Sequence, residues 1–322
     1  MNPTEGNPPA PWFASGGSKF FFHILLTLSL FLSISFVPLA GLLMGILTPL
    51  PTVLALIRFG APSAWFVPGV SGLAGALILF WLGMEHSIPY FASMLAMGIV
   101  LGYGIRKLWV TEKVIGLSSL VVIAMAAVLV ALSFVETKGE LVGLLEQDLR
   151  GAISATLKQL GTPTAETREL ETALLAAVPI IVRIMPGITV SCTLLIAWLN
   201  MLIARRYCRA GALGEYIMDD WRLWKAPEAL VWVLIASGIA LFAPGDGFRY
   251  PALNVFIVLG SIYFLQGLSI SAFFLDKWKL PVFLRALIYG ILVMQQIASI
   301  AIAVLGLFDM WFDFRRMATK PE

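Results

Sequence analysis

The sequence predicts an all-α fold, a polytopic transmembrane helical bundle of about nine spans (eight or nine). Two observations carry that expectation. Hydrophobic residues are 59% of the 322 and charged residues only 13%, with a mean hydropathy of +0.90, whereas a soluble domain carries about 25% charged residues. Apolar runs of about 20 residues, the length an α-helix needs to cross hydrocarbon, also recur along the chain, and Lys and Arg collect in the loops between them. The solvent for this much apolar surface is lipid, so the bilayer is the first expected partner and nucleic acid is not one.

Residues 1–18, rich in Pro, Gly and Ser, are expected to form a disordered cytoplasmic tail. The apolar run after Lys19 is longer than a signal-peptide core and no small-x-small cleavage site follows it, so it is an uncleaved first span, 20–36. Val37-Pro38 breaks the helix, because proline disfavours helical geometry in the residue before it. The second span, 39–57, is interrupted at Thr48, Pro49 and Pro51. The prolines remove backbone donors, and the freed carbonyls need other partners. Thr48, Pro49 and Pro51 are therefore either the wall of a cavity or a plain kink.

The third and fourth spans are 63–84 and 88–105, with Glu85-His86 between them. Gly41/Gly45, Ser71/Gly75 and Gly98/Gly102 are small-xxx-small pairs that let neighbouring helices approach closely. The fifth span is 114–134. The long polar segment that follows, 135–171, carries Leu141, Leu145, Leu149, Ile153, Leu157 and Leu160 at steps of three or four, with Glu146, Arg150 and Lys158 off the stripe. That is an amphipathic helix, stopping near Gly161, with Thr162-Pro163 starting the next element. It is either an interfacial helix or a lid over an outward-facing pocket.

Residues 171–206 are too long for one simple span. They hold Arg183 in an apolar run, with Pro186-Gly187 three residues later. If the span is 184–204, Arg183 snorkels at the outer interface. If it starts near Ala173, Arg183 is buried and must have a partner. A basic loop follows, in which Trp221 and Trp224 read as interfacial anchors or a partner-docking face. The remaining spans are 226–243, 251–275 and 281–308. An inside N-terminus places the basic loops inside, but sends the C-terminus outside despite Arg315, Arg316 and Lys320.

The chain carries no phosphate-binding glycine loop, no GxSxG, no HExxH and no Cys/His metal spacing, so neither catalysis nor a cofactor is expected. Cys192 lies in an apolar span and Cys208 in a basic loop, which argues against a structural disulfide. No Asp or Glu lies deep within any expected span, whereas self-powered carriers usually bury a carboxylate there. The polar groups near mid-membrane are Gln266, Gln295, Gln296, Ser191 and Thr193, which serve either as packing contacts or as ligand contacts. Gln295 and Gln296 point about 100° apart on a helix, so at most one faces a given pocket.

GLFDMWFDFRR at residues 306–316 resembles the end of the YybS-like family of uncharacterised bacterial membrane proteins. So do the proline-broken second span leading into LALIRFGAP at 54–62, the MPG at 185–187 with Asn200 beyond it, and YFLQGLSISAFF at 263–274. The first six spans are more distantly similar to the substrate-binding S components of energy-coupling-factor transporters. Those have six helices, with an Ala-xxx-Ala pair on the first for docking to a coupling subunit. This chain has Ser29 and Ser33 at that spacing instead. The resemblance implies a six-helix unit at 19–209, a three-helix extension at 210–308 and a tail at 309–322. It implies a protein of the bacterial inner membrane with a cytoplasmic N-terminus. Its expected role is binding or transport of a small-molecule ligand, powered by a coupling partner, with candidate ligand contacts at Arg183, Thr48, Pro49, Pro51, Gln266, Gln295 and Gln296. The alternative is a scaffold that binds an envelope protein.

Overall fold

Among the described residues thirteen α-helices follow one another: α1 Gly17–Phe36, α2 Pro38–Gly45, α3 Pro49–Phe59, α4 Phe66–Trp81, α5 Ile88–Arg106, α6 Thr111–Glu136, α7 Leu141–Gln159, α8 Ala165–Ala210, α9 Ala229–Ala240, α10 Asp246–Lys277, α11 Val282–Met294, α12 Gln296–Phe312 and α13 Phe314–Met317. The structure, a computed structural model, describes residues 17–60, 62–159, 165–210 and 220–317, and these residues contain no strand. Most of the expected N-terminal tail, the expected stop and cap at Gly161 and Thr162-Pro163, Leu160, residues 211–219 and residues 318–322 lie outside the described residues.

Among the described residues seven helices are long and apolar enough to cross a membrane, or eight when the bent pair α11–α12 counts as one span. The difference from nine has two physical sources. The expected seventh span is realised as α9, 12 residues long, which at 1.5 Å per residue covers about 18 Å of a hydrocarbon core about 30 Å thick. Pro227 keeps the residues before it out of helix, and Trp224 is extended (ψ 136°). The expected ninth span breaks at Gln295, where the axis bends by 96°.

Two units form, Met1–Met125 with Ile196–Asp219, and Ala126–Leu195 with Asp220–Glu322.

In the first unit the small-xxx-small pairs sit at helix contacts. A Cβ on Gly98 would stand 2.7 Å from the Pro49 carbonyl oxygen, and one on Gly102 2.8 Å from Leu56 Cβ, so α5 lies directly on α3. Gly75 is covered by the Phe91 ring, and Gly41 by the Ser33 carbonyl and Ile34 backbone. Phe31, Leu79, Phe91 and Leu95 form a buried cluster beside these contacts. Thr48, Pro49 and Pro51 are buried against α5. The break they cause leaves the Ile46 carbonyl without its helical donor, because Leu50 N–H donates to Leu47 instead. Asn200 Nδ2 supplies the missing bond at 2.9 Å.

In the second unit α7 is amphipathic as its leucine spacing predicts. Ile153 and Leu157 lie beside Leu174 of α8, and Ser154 Oγ donates to Glu171 at 3.1 Å. Leu145 remains exposed, so α8 covers only part of the stripe. The closest helix contact is α10 on α12: a Cβ on Gly267 would meet the Ile302 backbone, and one on Gly306 the Tyr263 carbonyl and, at 2.7 Å, Gly267 N.

Overfilling this contact forces the two backbones apart. Gly306→Val is expected to destabilise the protein by about 1–3 kcal/mol or more, read as a lower unfolding midpoint in detergent. Gly290→Ala, with no atom within 4 Å of the added carbon, is expected to leave the midpoint unchanged.

Candidate functional site

Helix α10 organises the polar chemistry of the second unit. Asp246, Tyr250 and Asn254 are spaced four apart and share one face of it, and all three meet α8 around Arg183. Arg183 Nη1 donates to Asp246 Oδ2 at 2.7 Å, and its guanidinium lies 4.7 Å from the centre of the Tyr250 ring. In an unbroken helix the Gly187 N–H would donate to the Arg183 carbonyl. Here the Asn254 amide stands between them. Gly187 N–H donates to Asn254 Oδ1 at 2.5 Å and Asn254 Nδ2 donates to the Arg183 carbonyl at 2.9 Å. Gly187 is required, since a Cβ there would sit 2.7 Å from Asn254 Oδ1. This is how α8 continues through Pro186 as one 46-residue helix. Arg183 thus has a partner, yet its side chain stays 40% exposed and that of Asp246 67%.

The opposite end of α10 carries a buried network. Asp309 is fully buried in α12 and Arg315 is 4% exposed. Arg315 Nη2 donates to Asp309 Oδ2 at 2.6 Å. Asp309 also accepts from Gln266 Nε2 at 3.2 Å and from Phe314 N–H at 3.0 Å. The rest of the network holds the non-helical segment before Pro227. Arg315 Nη1 donates to the carbonyls of Arg222 (2.9 Å) and Trp224 (3.0 Å). Ser269 Oγ donates to Trp221 O at 2.9 Å, and Ala226 N–H donates to Gln266 Oε1 at 3.1 Å. Asp309, one residue past the expected ninth span, is part of the helix because α12 runs on to Phe312.

The same segment fastens both ends of the α11–α12 pair. Asp276 accepts from Arg222 Nη1 and, at 3.0 Å, from Arg285 Nη1 at the start of α11. Lys225 pairs with Asp313, just past α12, at 3.0 Å. The pair therefore leaves and returns to one end of this unit, as a re-entrant hairpin does. Lys225 holds the Asp313 carboxyl below its ordinary range, chiefly by hydrogen bonding. Its stabilisation is complete above the unfolded carboxyl's value and is lost as pH falls through the lowered one.

Between the two polar ends α10 borders a cavity of about 510 Å³. Phe256, Gly260, Ser261 and Phe264 of α10 line it, with Ile300, Ala303 and Val304 of α12 opposite. Tyr263 also lines it, and its buried hydroxyl has no hydrogen-bond partner among the described residues.

Of the residues singled out in the sequence, Gln266 is fully buried and bonded at both ends of its amide. Arg183 lies at the other end of α10. Gln295 and Gln296 are exposed at the hairpin's tip. Trp224 packs against a cluster that includes Val231, Leu234, Leu259 and Tyr263, while Trp221 is half-buried and its carbonyl is bonded to Ser269. Ser33 is half-buried and donates to Leu30 and Gly41 carbonyls, and Ser29 is exposed. Thr48, Pro49 and Pro51 lie in the other unit. Sequence reasoning missed Asp246, Tyr250, Asn254, Ser269, Asp309 and Arg315. The four-residue spacing of the first three was a legible signal. For Ser269, Asp309 and Arg315 the signal was their presence in the two motifs at 263–274 and 306–316, which the fold packs together.

Arg315→Ala is expected to cost about 3–5 kcal/mol, because it leaves Asp309 buried and uncompensated. The double variant Arg315→Met, Asp309→Leu is expected to recover much of that loss in a double-mutant cycle of unfolding midpoints. Asn254→Leu is expected to cost about 1–3 kcal/mol through the freed Arg183 carbonyl and Gly187 N–H. Arg183→Ala, whose partner is screened by solvent, is expected to shift the midpoint by no resolvable amount.

Comparison with known proteins supplies the lineage. The chain is 22% identical over 292 residues to "Uncharacterized protein YybS" of Bacillus subtilis (strain 168), covering 88% of this chain and 92% of that protein. No solved structure matches it. The family described as Predicted membrane protein (DUF2232) matches residues 25–310, nearly the whole span-bearing part, and the chain belongs to that family.

Proposed function

We propose that this protein binds an amphipathic, lipid-like molecule within the bilayer and serves its transport. The carrying observation is the position of the cavity along α10, between the polar groups around Asn254 and those around Gln266. Its volume of about 510 Å³ falls within the roughly 300–1,000 Å³ of small-molecule sites. Its lining is almost wholly apolar, which favours a hydrocarbon-bearing ligand over a polar metabolite. In this reading the protein is a binding subunit and not an enzyme. Asp309 is engaged by Arg315, Gln266 and Phe314, so it acts as a fastener, and the energy for movement comes from a coupling partner. The scaffold reading keeps one specific support: Gln266 is spent entirely on contacts to other elements of the chain.

The compartment in this reading is the bacterial cytoplasmic membrane with the N-terminus inside, supported by the Bacillus relative and by the placement of Lys and Arg. The hairpin brings Arg222, Lys225, Arg285 and Arg315 to one end of the second unit, which suits a cytoplasmic C-terminus.

Both parts are measurable. Single cysteines at Trp278 and Met317, both exposed, are expected to react with an impermeant thiol reagent from the same, inner side of the membrane; labelling from opposite sides rejects the hairpin. For the ligand, native mass spectrometry of protein released from membranes is expected to show a bound lipid. Gly260→Trp and Ala303→Trp fill the cavity and are expected to lower its occupancy at least tenfold with the fold intact. Gly260 has room for the new side chain, with nothing within 4 Å of its added Cβ. Equal occupancy in the filled variants rejects the binding reading and leaves the scaffold.

A further inference from the structure

The tip of the α11–α12 hairpin is placed where a bilayer does not tolerate it uncovered. The arms have 13 and 17 residues, or about 20 and 26 Å at 1.5 Å per residue. With the axes bent by 96° and both ends held at one level by Asp276–Arg285 and Lys225–Asp313, a symmetric hairpin reaches only about 15–19 Å, near the middle of a core about 30 Å thick. There the backbone leaves the helix, with Gln295 extended at φ −89°, ψ 113°. Ser299 Oγ answers part of the break by donating to the Leu292 carbonyl at 2.8 Å. The rest is open. Gln295 and Gln296 are exposed, and neither side-chain amide has a hydrogen-bond partner among the described residues. A helix starting at Gln296 also leaves its first-turn N–H groups without intrahelical acceptors.

Irregular backbone at membrane depth occurs only where protein or a water-filled cavity covers it. The tip is also convex: Met294 is 88% and Ile297 75% exposed, flanking the two glutamines. Small-molecule sites are concave, so this shape fits a protein partner. The chemistry is self-complementary. Each amide offers an acceptor oxygen and donor N–H groups, and the partial positive charge at the start of α12 attracts an amide oxygen. Closed two-fold association is the commonest arrangement among oligomers of one chain. We propose that a second copy of this chain covers the tip, the two Gln295–Gln296 pairs hydrogen-bonding across a two-fold axis in mid-membrane. This inference does not depend on the ligand reading above.

The test is done in native membranes. Ile297→Cys, in a Cys192→Ala, Cys208→Ser background, is treated with a short oxidative crosslinker. The expected product is a disulfide dimer, with none from Phe283→Cys at the far end of α11, although Phe283 is 80% exposed. Adding Gln295→Leu and Gln296→Leu is expected to lower the dimer yield at least fivefold. Two differently tagged wild-type copies, co-expressed and extracted mildly, are expected to purify together; that arm depends on no variant's folding. Absence of both the crosslink and the co-purification overturns the proposal. So does a crosslink to a different protein alone, or a dimer yield that the glutamine substitutions leave unchanged.

Discussion

No water reaches the hydrocarbon core, so a backbone group that loses its helical partner must find another inside the protein. Four irregularities among the described residues meet side chains that answer them in whole or in part. The prolines at 49 and 51 free the Ile46 carbonyl, and Asn200 donates to it. Pro186 lies where the ladder of α8 opens, and the Asn254 amide fills the opening from α10. The 96° break at Gln295 exposes carbonyls, and Ser299 takes up part of them. Residues 221–226 stay out of α-helix before Pro227, with a 3-10 turn at Trp221–Leu223, and Arg315 and Ser269 bond the carbonyls of Trp221, Arg222 and Trp224. Asn254 bridges its interruption on both sides because one amide offers both donor and acceptor, whereas Asn200 acts through its donor alone.

Using a charge for the last of these tasks has a consequence. Arg315 cannot lose its proton, so a guanidinium placed among buried carbonyls needs a counter-charge within the same network. Asp309 supplies it from six residues earlier, on the preceding helix α12. Gly267 and Gly306 bring α10 and α12 close enough for Gln266 to bond the same carboxylate. Tight glycine packing and the buried ion pair are therefore one device, and neither works at the wider spacing that a Cβ would impose.

Much of the fold was legible because lipid imposes a length and a composition on each span. Runs such as 63–84, 88–105 and 114–134 appear as α4, α5 and α6 with their edges within a few residues. The glycine pairs marked real helix contacts for the same reason: a missing side chain is visible in sequence. What was not legible depended on pairing between distant segments. A hydrophobic run does not say whether it crosses or turns back, so 281–308 read as one span although it bends at Gln295. Asp309 read as tail because it follows the last apolar stretch, and only Arg315, Gln266 and the Phe314 N–H reveal how it is buried. For Arg183 the sequence left open an interfacial anchor or a buried, partnered group, because Asp246 and Tyr250 lie more than sixty residues away and nothing local announces them.

The two ends of α10 also differ in how firmly they are held, and the difference has a direction. At the Gln266 end an ion pair is excluded from solvent, several carbonyls depend on it, and glycine packing locks the helices. At the Arg183 end the ion pair is largely solvated, and solvated pairs are screened and weak. What holds α8 to α10 there is chiefly the Asn254 amide, which can exchange its two bonds for the ones an α-helix makes with itself. Local opening starts where few buried contacts must break together. The cavity lies between an end held by a buried ion pair and an end whose ion pair is largely solvated. The same asymmetry keeps the hairpin's two feet at a constant level, because both are tied to the fixed end.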